Sequence, residues 1–143
     1  MNLEEIAIKV EGCRKCQLCE GRTNVVVGDG SPDAKVMIVG EAPGRNEDLQ
    51  GKPFVGAAGK LLNELLAEAG LKREDVYIAN VLKCRPPSNR NPRPEEIEQC
   101  ADFLRAQTKA IMPDVIVTLG NFATKFILKT DRGITSMRGQ VYK

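Results

Sequence analysis

The stretch KVMIVG, residues 35–40, contains an unbroken apolar run that ends in glycine. Such a run is typical of a strand in a parallel sheet that is covered on both faces, because neither face is left for polar side chains. Two later stretches, DVYIANVL at 75–82 and DVIVTLG at 114–120, have the same character. The sequence therefore predicts three buried strands, and their order along the chain frames the rest of the fold.

Helical patterns lie before, between and after these strands. Apolar residues recur at helical spacing in 3–10, 57–70, 94–112 and 121–128. The second of these helices is expected to stop at glycine and to bury one face, formed by Leu61, Leu62, Leu65, Leu66 and Ala69. Strands that alternate with helices predict an α/β fold, with a mostly parallel sheet covered on both faces.

The connecting segments are less regular. VVV at 25–27 is expected to form a short edge strand, and the Gly- and Pro-rich segment 41–56 is expected to be a long loop. Three prolines in KCRPPSNRNPR, residues 83–93, exclude regular helix or sheet there. At 143 residues the chain is expected to be a single domain, 1–143.

The composition limits the classes of function. Hydrophobic residues make up 42% and charged residues 28%, the net charge is +2, and no apolar run reaches membrane-spanning length. We therefore expect an intracellular, cytoplasmic protein with no membrane partner, and any nucleic-acid binding must depend on a local patch of charge. The chain has no histidine, which removes the commonest acid–base catalyst.

Polar residues follow each predicted strand. Gly40 and Glu41 end the first, Asn80 lies in the second, and Gly120 and Asn121 end the third. Ligands of open α/β sheets bind beyond the carboxyl ends of the strands. If the three strands are neighbours, these residues line one crevice.

Five cysteines suggest a metal site, because thiols stay reduced inside cells and clustered ones are usually ligands. The run CRKCQLC begins like a bacterial ferredoxin motif, but Thr23 occupies the position of the next cysteine. The run therefore cannot supply four thiolates alone. A closed site would combine Cys13 and Cys16 with Cys84 and Cys100.

In this arrangement Cys19 is the cysteine left over. Zinc and an iron–sulfur cluster would both accept four thiolates, and the spacing does not choose between them. The alternative is a set of unrelated buried thiols.

Several motifs in a fixed order carry a family resemblance. VMIVGEAPGRNEDLQGKPFVGAAGKLLNELL at 36–66, VYIANVLKCRPPSNRNP at 76–92 and VIVTLGNFAT at 115–124 resemble the family-four uracil-DNA glycosylases of thermophilic bacteria and archaea. The resemblance implies a three-layer α/β/α sandwich that excises uracil from DNA in base excision repair. It also implies a [4Fe–4S] cluster whose ligands fall on Cys13, Cys16, Cys84 and Cys100.

The resemblance also implies a uracil pocket. Gly40, Glu41 and Ala42 would lie against the base, and Phe54 would stack on it. The amide of Asn80 offers one donor and one acceptor, which match uracil O4 and N3–H, whereas cytosine presents the reverse pattern.

Other residues have more than one interpretation. Glu41 would either act on water near the developing positive charge of the sugar or fill space beside uracil C5 and exclude thymine. Glu47 and Asn89 would brace loops or be solvated. Lys83, Arg85, Arg90 and Arg93 would contact phosphates or remain ordinary surface charge.

Family members continue past the position of Lys143 to a His-Pro motif, whose histidine donates to uracil O2. The resemblance therefore predicts a chain that is C-terminally incomplete relative to the family, either truncated or weakened in catalysis. Its expected partners are uracil-containing DNA and uracil, and it is expected to be a monomer. The alternative is a catalytically weak, cluster-bearing module that binds DNA or uracil, in association with a polymerase.

Overall fold

A sheet of four strands forms the centre of the computed structural model, which describes residues 1–129 and 138–142. In the described residues the strands are β1 (Asp29–Gly30), β2 (Val36–Gly40), β3 (Tyr77–Asn80) and β4 (Val115–Thr118). Their order across the sheet is β1-β3-β2-β4. Strand β2 is parallel to both β3 and β4, whereas β1 is antiparallel to β3. The predicted mostly parallel sheet, with its three main strands adjacent, is confirmed.

Helices occupy all four segments in which the sequence predicts them. These four are α1 (Leu3–Glu11), α4 (Ala57–Glu68), α5 (Pro94–Ile111) and α6 (Asn121–Leu128). The described residues also form two short helices that the sequence does not predict, α2 (Leu18–Gly21) and α3 (Arg45–Gln50). Short 3₁₀ turns occur at Arg73–Asp75 and Pro87–Asn89.

Helix α3 lies inside the segment 41–56, for which the sequence predicts only loop. Its six residues, RNEDLQ, carry no apolar periodicity from which a helix could be predicted. Its first turn is instead fixed by a side chain, because Glu47 accepts a hydrogen bond from the N–H of Gly44 at 3.0 Å.

The two faces of the sheet are covered by different helices, as alternation along a strand requires. Met37 and Val39 pack in one cluster with Leu104 of α5 and Ala123 of α6. Ile38, between them in the sequence, packs in another cluster with α4, whose inward residues are Leu62 and Leu66. The three-layer α/β/α arrangement follows.

Helix α4 buries a narrower face than predicted. Leu61 and Leu65 are 56% and 51% exposed, and Ala69 is also exposed. One stripe of the helix reaches the sheet, because residues at i and i+4 share a face whereas their immediate neighbours turn away from it. The prediction of five inward residues was therefore wrong for these three.

Two strand predictions also need correction. Strand β4 is not fully buried, because it lies at the edge of the described sheet, with Val115 51% and Val117 40% exposed. Residues 25–27 form no strand, and the short edge strand is β1 instead. The place of a strand within a sheet depends on its neighbours, which an apolar run does not specify.

The N-terminal helix packs against the longest helix and brings the first cysteines toward the middle of the chain. Asn2 caps α1, since its Oδ1 accepts from the N–H of Glu5 at 2.9 Å. Ile6 and Val10 of α1 lie in a cluster with Phe103 of α5. No helix of the described part of the chain is long and apolar enough to span a membrane.

Candidate functional site

The carboxyl ends of β2 and β3 lie side by side. Gly40 is the register partner of Asn80, and the pairing continues past the strands. The N–H of Val81 donates to the Gly40 carbonyl at 2.9 Å, and the N–H of Leu82 donates to the Glu41 carbonyl at 3.0 Å. This parallel register brings Glu41 and Asn80 to one edge of the sheet, as the sequence predicts.

Glycine at position 40 lets two side chains approach the backbone of β2. A Cβ atom there would lie 2.5 Å from Asn80 Oδ1 and 2.6 Å from Phe54 Cζ. Any larger residue would push away the amide, the aromatic ring or both. The absence of a side chain at Gly40 therefore leaves the space that the Asn80 amide and the Phe54 ring occupy.

These residues surround an open pocket. Among its lining residues are Glu41, Ala42, Phe54, Asn80, Pro86 and Asn89. Of the residues predicted to contact the base, Glu41, Ala42, Phe54 and Asn80 line this pocket, whereas Gly40 does not. An aromatic ring, an amide and a carboxylate around one space suit a flat, polar heterocycle.

Glu41 is only half-buried, and burial raises the pKa of its carboxyl. A carboxylate with a raised pKa is a stronger base than an exposed one, because desolvation favours proton uptake. The side chain can therefore hold a proton or polarise a water at the edge of the pocket.

Lys83 supports Asn80 from inside the protein. Its Nζ donates to the carbonyls of Asn80 at 3.0 Å and Val27 at 3.1 Å, and to Gln107 Oε1 at 2.6 Å. Gln107 Nε2 donates in turn to the Val27 carbonyl and to Tyr77 Oη. Burial lowers the pKa of Lys83 to about 7, while three oxygen acceptors favour its protonated form.

The carboxylate of Glu47 joins the segment at Gly44 to the segment at residues 54–56, and both segments border the pocket. One carboxylate oxygen accepts from the N–H of Gly44, and the other accepts from the N–H groups of Val55 and Gly56, all at 3.0 Å. The bracing interpretation of Glu47 is therefore the correct one. Asn89 accepts from Arg85 Nε at 2.8 Å within the Pro-rich loop.

The Pro-rich loop, residues 83–93, has fewer basic side chains available to contact phosphate than its sequence indicates. Lys83 is 1% exposed, so the prediction that it contacts phosphates was wrong. Arg90 forms a bidentate pair with buried Glu96, at 2.8 and 2.7 Å. That pairing holds the pKa of Glu96 below its usual range and fastens the loop to α5.

The cysteines form a second site on the other side of Lys83. All five line one small cavity: Cys13, Cys16, Cys19, Cys84 and Cys100. Cys84 and Cys100 are buried, whereas the three from the N-terminal run are half-buried. The four predicted ligands are thus brought together, and the predicted spare cysteine lies beside them.

Donors already point at two of these sulfurs. Arg22 Nη1 donates to Cys84 Sγ at 3.2 Å and to the Cys13 carbonyl at 2.9 Å, and the N–H of Lys83 donates to Cys100 Sγ at 3.4 Å. Burial raises the pKa of Cys84, an effect that Arg22 partly opposes, and raises that of Cys100 to about 11. Bound metal would offset this cost, since thiolates bind metal more tightly than thiols do.

Within the described residues, no three Cys, Asp or Glu side chains come close enough together to bind a single metal ion. Ligands of one zinc ion must all lie about 2.3 Å from a common centre. Four thiolates around one cavity are the donor set of zinc and of an iron–sulfur cluster alike.

Comparison with known proteins identifies the family to which this fold belongs. The sequence profile described as Uracil DNA glycosylase superfamily matches residues 27–142. A type-4 uracil-DNA glycosylase of Archaeoglobus fulgidus is 55% identical, over 99% of this chain and 73% of its own length. Those of Sulfurisphaera tokodaii and Thermotoga maritima are 51% and 53% identical, over 99% and 96% of this chain and 66% and 72% of their own lengths.

The chain belongs to the type-4 uracil-DNA glycosylase family. The family resemblance carried by the motifs is therefore confirmed. The superfamily match includes the pocket residues together with Cys84 and Cys100, whereas Cys13 and Cys16 precede it. Those two lie in the part that the type-4 relatives share, since they align with 99% of this chain.

Sequence reasoning missed the side chains that hold this type-4 site together. Arg22 was not singled out, because its partner Cys84 is 62 residues away. Lys83 was assigned to the surface, although it directly follows the buried apolar run of β3 and its extension, Val81 and Leu82. Its position directly after this apolar run is the feature of the sequence that indicates its burial.

Replacing Lys83 by methionine is expected to destabilise the fold by about 1–3 kcal/mol, because the Asn80 carbonyl and Gln107 Oε1 lose a donor inside the protein. Urea unfolding measures the difference. Lys60→Met, at an exposed position of α4, is the control and should change stability by no more than about 0.5 kcal/mol. Equal stability of the two variants would show that the Lys83 network contributes nothing.

Proposed function

We propose that this chain is a uracil-DNA glycosylase, which hydrolyses the N-glycosidic bond between uracil and deoxyribose. The observation that carries the proposal is the pocket in which Glu41, Phe54 and Asn80 meet at the ends of β2 and β3. The names of relatives up to 55% identical support the same activity. The sequence motifs alone do not bring these three side chains together.

Recognition begins when the base leaves the DNA stack and enters the pocket. Phe54 offers its ring to the face of the flipped base, and Asn80 offers one donor and one acceptor to uracil O4 and N3–H. Ala42 lets the base approach the backbone beside it, and Gly40 leaves room for the Phe54 ring and the Asn80 amide. Cytosine would meet a donor with a donor and an acceptor with an acceptor at Asn80, which leaves buried polar groups unsatisfied.

Glu41 is the candidate catalytic residue. Its half-buried carboxylate would orient water toward the sugar carbon and stabilise the positive charge that develops there as the bond breaks. Exclusion of thymine by the bulk of the same side chain is the competing role. Glutamine has nearly the same size but no charge, so one substitution separates the two.

Cys13, Cys16, Cys84 and Cys100 are proposed to hold a [4Fe–4S] cluster, with Cys19 beside it as a non-ligand. Their position around one cavity supports this set. The bound cluster would supply a covalent cross-link between the N-terminal segment, the end of β3 and α5. Arg22 donates to one ligand sulfur and would offset part of its negative charge.

The proposed partner is uracil-containing DNA, and the proposed form is a monomeric single domain. Relatives named for the same activity come from archaea and a bacterium, so DNA and the chain would meet in the cytoplasm. Arg85, in the Pro-rich loop, and exposed Arg93 are the proposed phosphate contacts, since Arg90 is already paired.

The direct test is release of uracil from an oligonucleotide that contains one deoxyuridine. We expect release by the wild-type chain, and a loss in kcat of about 10²-fold or more in Glu41→Gln, with thymine still refused. Excision of thymine by the variant would assign Glu41 to exclusion instead. Binding without any release by the wild type would favour the recognition-module alternative.

Asn80→Asp is expected to weaken binding of free uracil by about 1–3 kcal/mol, because an ionised carboxylate can accept but cannot donate to O4. Calorimetry with uracil measures the change, and cytosine serves as the matched ligand. Asn121→Asp, at the start of α6 and outside the pocket lining, is the control substitution. Unchanged uracil affinity in Asn80→Asp would remove this side chain from base recognition.

Cys84→Ser is expected to abolish bound iron, whereas Cys19→Ser is expected to keep roughly four iron atoms per chain. Iron analysis and visible absorbance of anaerobically purified protein measure both. Equal loss of iron from the two variants would show that the ligand assignment is wrong, and zinc in place of iron would overturn the choice of cluster.

A further inference from the structure

The aromatic ring of the pocket is carried by an unusual piece of backbone. Phe54 has φ of 50°, in the left-handed region that residues with a side chain rarely adopt. The direction of its ring depends on this conformation, and the ring lies against Gly40. Surrounding contacts must hold the conformation, because the isolated segment would leave it.

Arg73 supplies the contacts on the carbonyl side. Its Nη1 donates to the Phe54 carbonyl at 2.9 Å and to Asn63 Oδ1 at 3.1 Å, and its Nη2 donates to the Pro53 carbonyl. Its Nε lies 3.8 Å from Asp29 Oδ2, and the side chain is 25% exposed. The guanidinium is thus fixed by Asp29 and Asn63, and it holds two consecutive carbonyls in its fork.

The opposite side of the same segment is held independently. Glu47 accepts from the N–H groups of Val55 and Gly56, both at 3.0 Å. Helix α4 closes the third side, since a Cβ atom on Gly59 would lie 1.9 Å from the Phe54 oxygen. Arg73 therefore completes a clamp around residues 53–56.

Arg73 is not part of the described lining of the pocket. It can affect a bound base only through the backbone that carries Phe54. It also lies outside every motif that supports the family resemblance, in the 3₁₀ turn that precedes β3. These observations separate it from the residues that contact the base.

We propose that Arg73 is a positioning residue for base recognition, which holds Phe54 in the conformation that presents its ring to a flipped pyrimidine. The inference rests on the proposed function. An arginine is needed because one planar fork must reach two carbonyls at once, which the single ammonium of lysine cannot do in the same geometry.

The experiment compares Arg73→Met and Arg73→Lys with Lys72→Met, an exposed neighbour that serves as control. We expect both Arg73 variants to raise KM for uracil-containing DNA about tenfold with kcat changed less than about twofold, because stacking stabilises the bound base before and during reaction alike. Lys72→Met should match the wild type. Unchanged kinetics in Arg73→Met, or full activity in Arg73→Lys, would overturn the proposal.

A double variant tests whether the effect passes through the ring. In a Phe54→Ala background, Arg73→Met should change KM by less than about twofold, because the side chain that it positions is gone. A further tenfold loss in that background would show that Arg73 acts by another route, and would overturn the proposal.

Hydrogen exchange keeps this inference distinct from the proposed function. The N–H groups of Val55 and Gly56 should exchange faster in Arg73→Met than in Lys72→Met, whether or not the chain releases uracil. Faster exchange with no uracil release by the wild type would overturn the proposed function but support the clamp. Equal exchange in the two variants would overturn the clamp itself.

Discussion

The parallel register of β2 and β3 is the constraint on which the rest of the structure depends. It sets Gly40 opposite Asn80, and the backbone pairing continues as far as Glu41 and Leu82. A shift of one residue would turn the side chains of the shifted strand to the opposite face, which would move Glu41 or Asn80 away from the pocket. Apolar packing on both faces prevents that shift, since Met37 and Ile38 must each face their own layer.

Charged side chains that bind backbone atoms hold the loops around this register. Lys83 donates to the carbonyl of Asn80, Glu47 accepts from amides of two loops, and Arg73 donates to the carbonyls beside the aromatic ring. Each bond satisfies a backbone donor or acceptor close to the pocket. In the described residues, no buried side-chain nitrogen or oxygen lacks a hydrogen-bond partner. Charged side chains therefore fix the loops of the pocket before any ligand binds, and the apolar clusters on the two faces of the sheet fix the strands that carry these loops.

Lys83 connects the cysteine cavity to Asn80, a residue that lines the pocket. Lys83 points its ammonium toward Asn80, and its own N–H donates to Cys100 Sγ. A group bound by the cysteines would therefore stiffen the segment that directly follows Asn80, the last residue of β3. Burial opposes ionisation of these thiols, as the raised pKa of Cys100 indicates. A cation bound in the cavity would favour the thiolate form and so offset this cost.

Local periodicity in the sequence determined the three parallel strands and the four main helices, because an apolar run and a helical repeat reflect burial directly. The family was indicated by the resemblance of the motifs at 36–66, 76–92 and 115–124. The predicted strand ends drew attention to Glu41 and Asn80, and the family resemblance added Phe54, since strand ends and loop motifs can be recognised one segment at a time. Tertiary structure alone decided that β4 lies at the edge, that Leu61 and Leu65 face outward, and that Lys83 is buried. These properties depend on contacts between distant segments. The free energy of burying a charge or exposing an apolar side chain is set by its neighbours in space, and local sequence does not specify them.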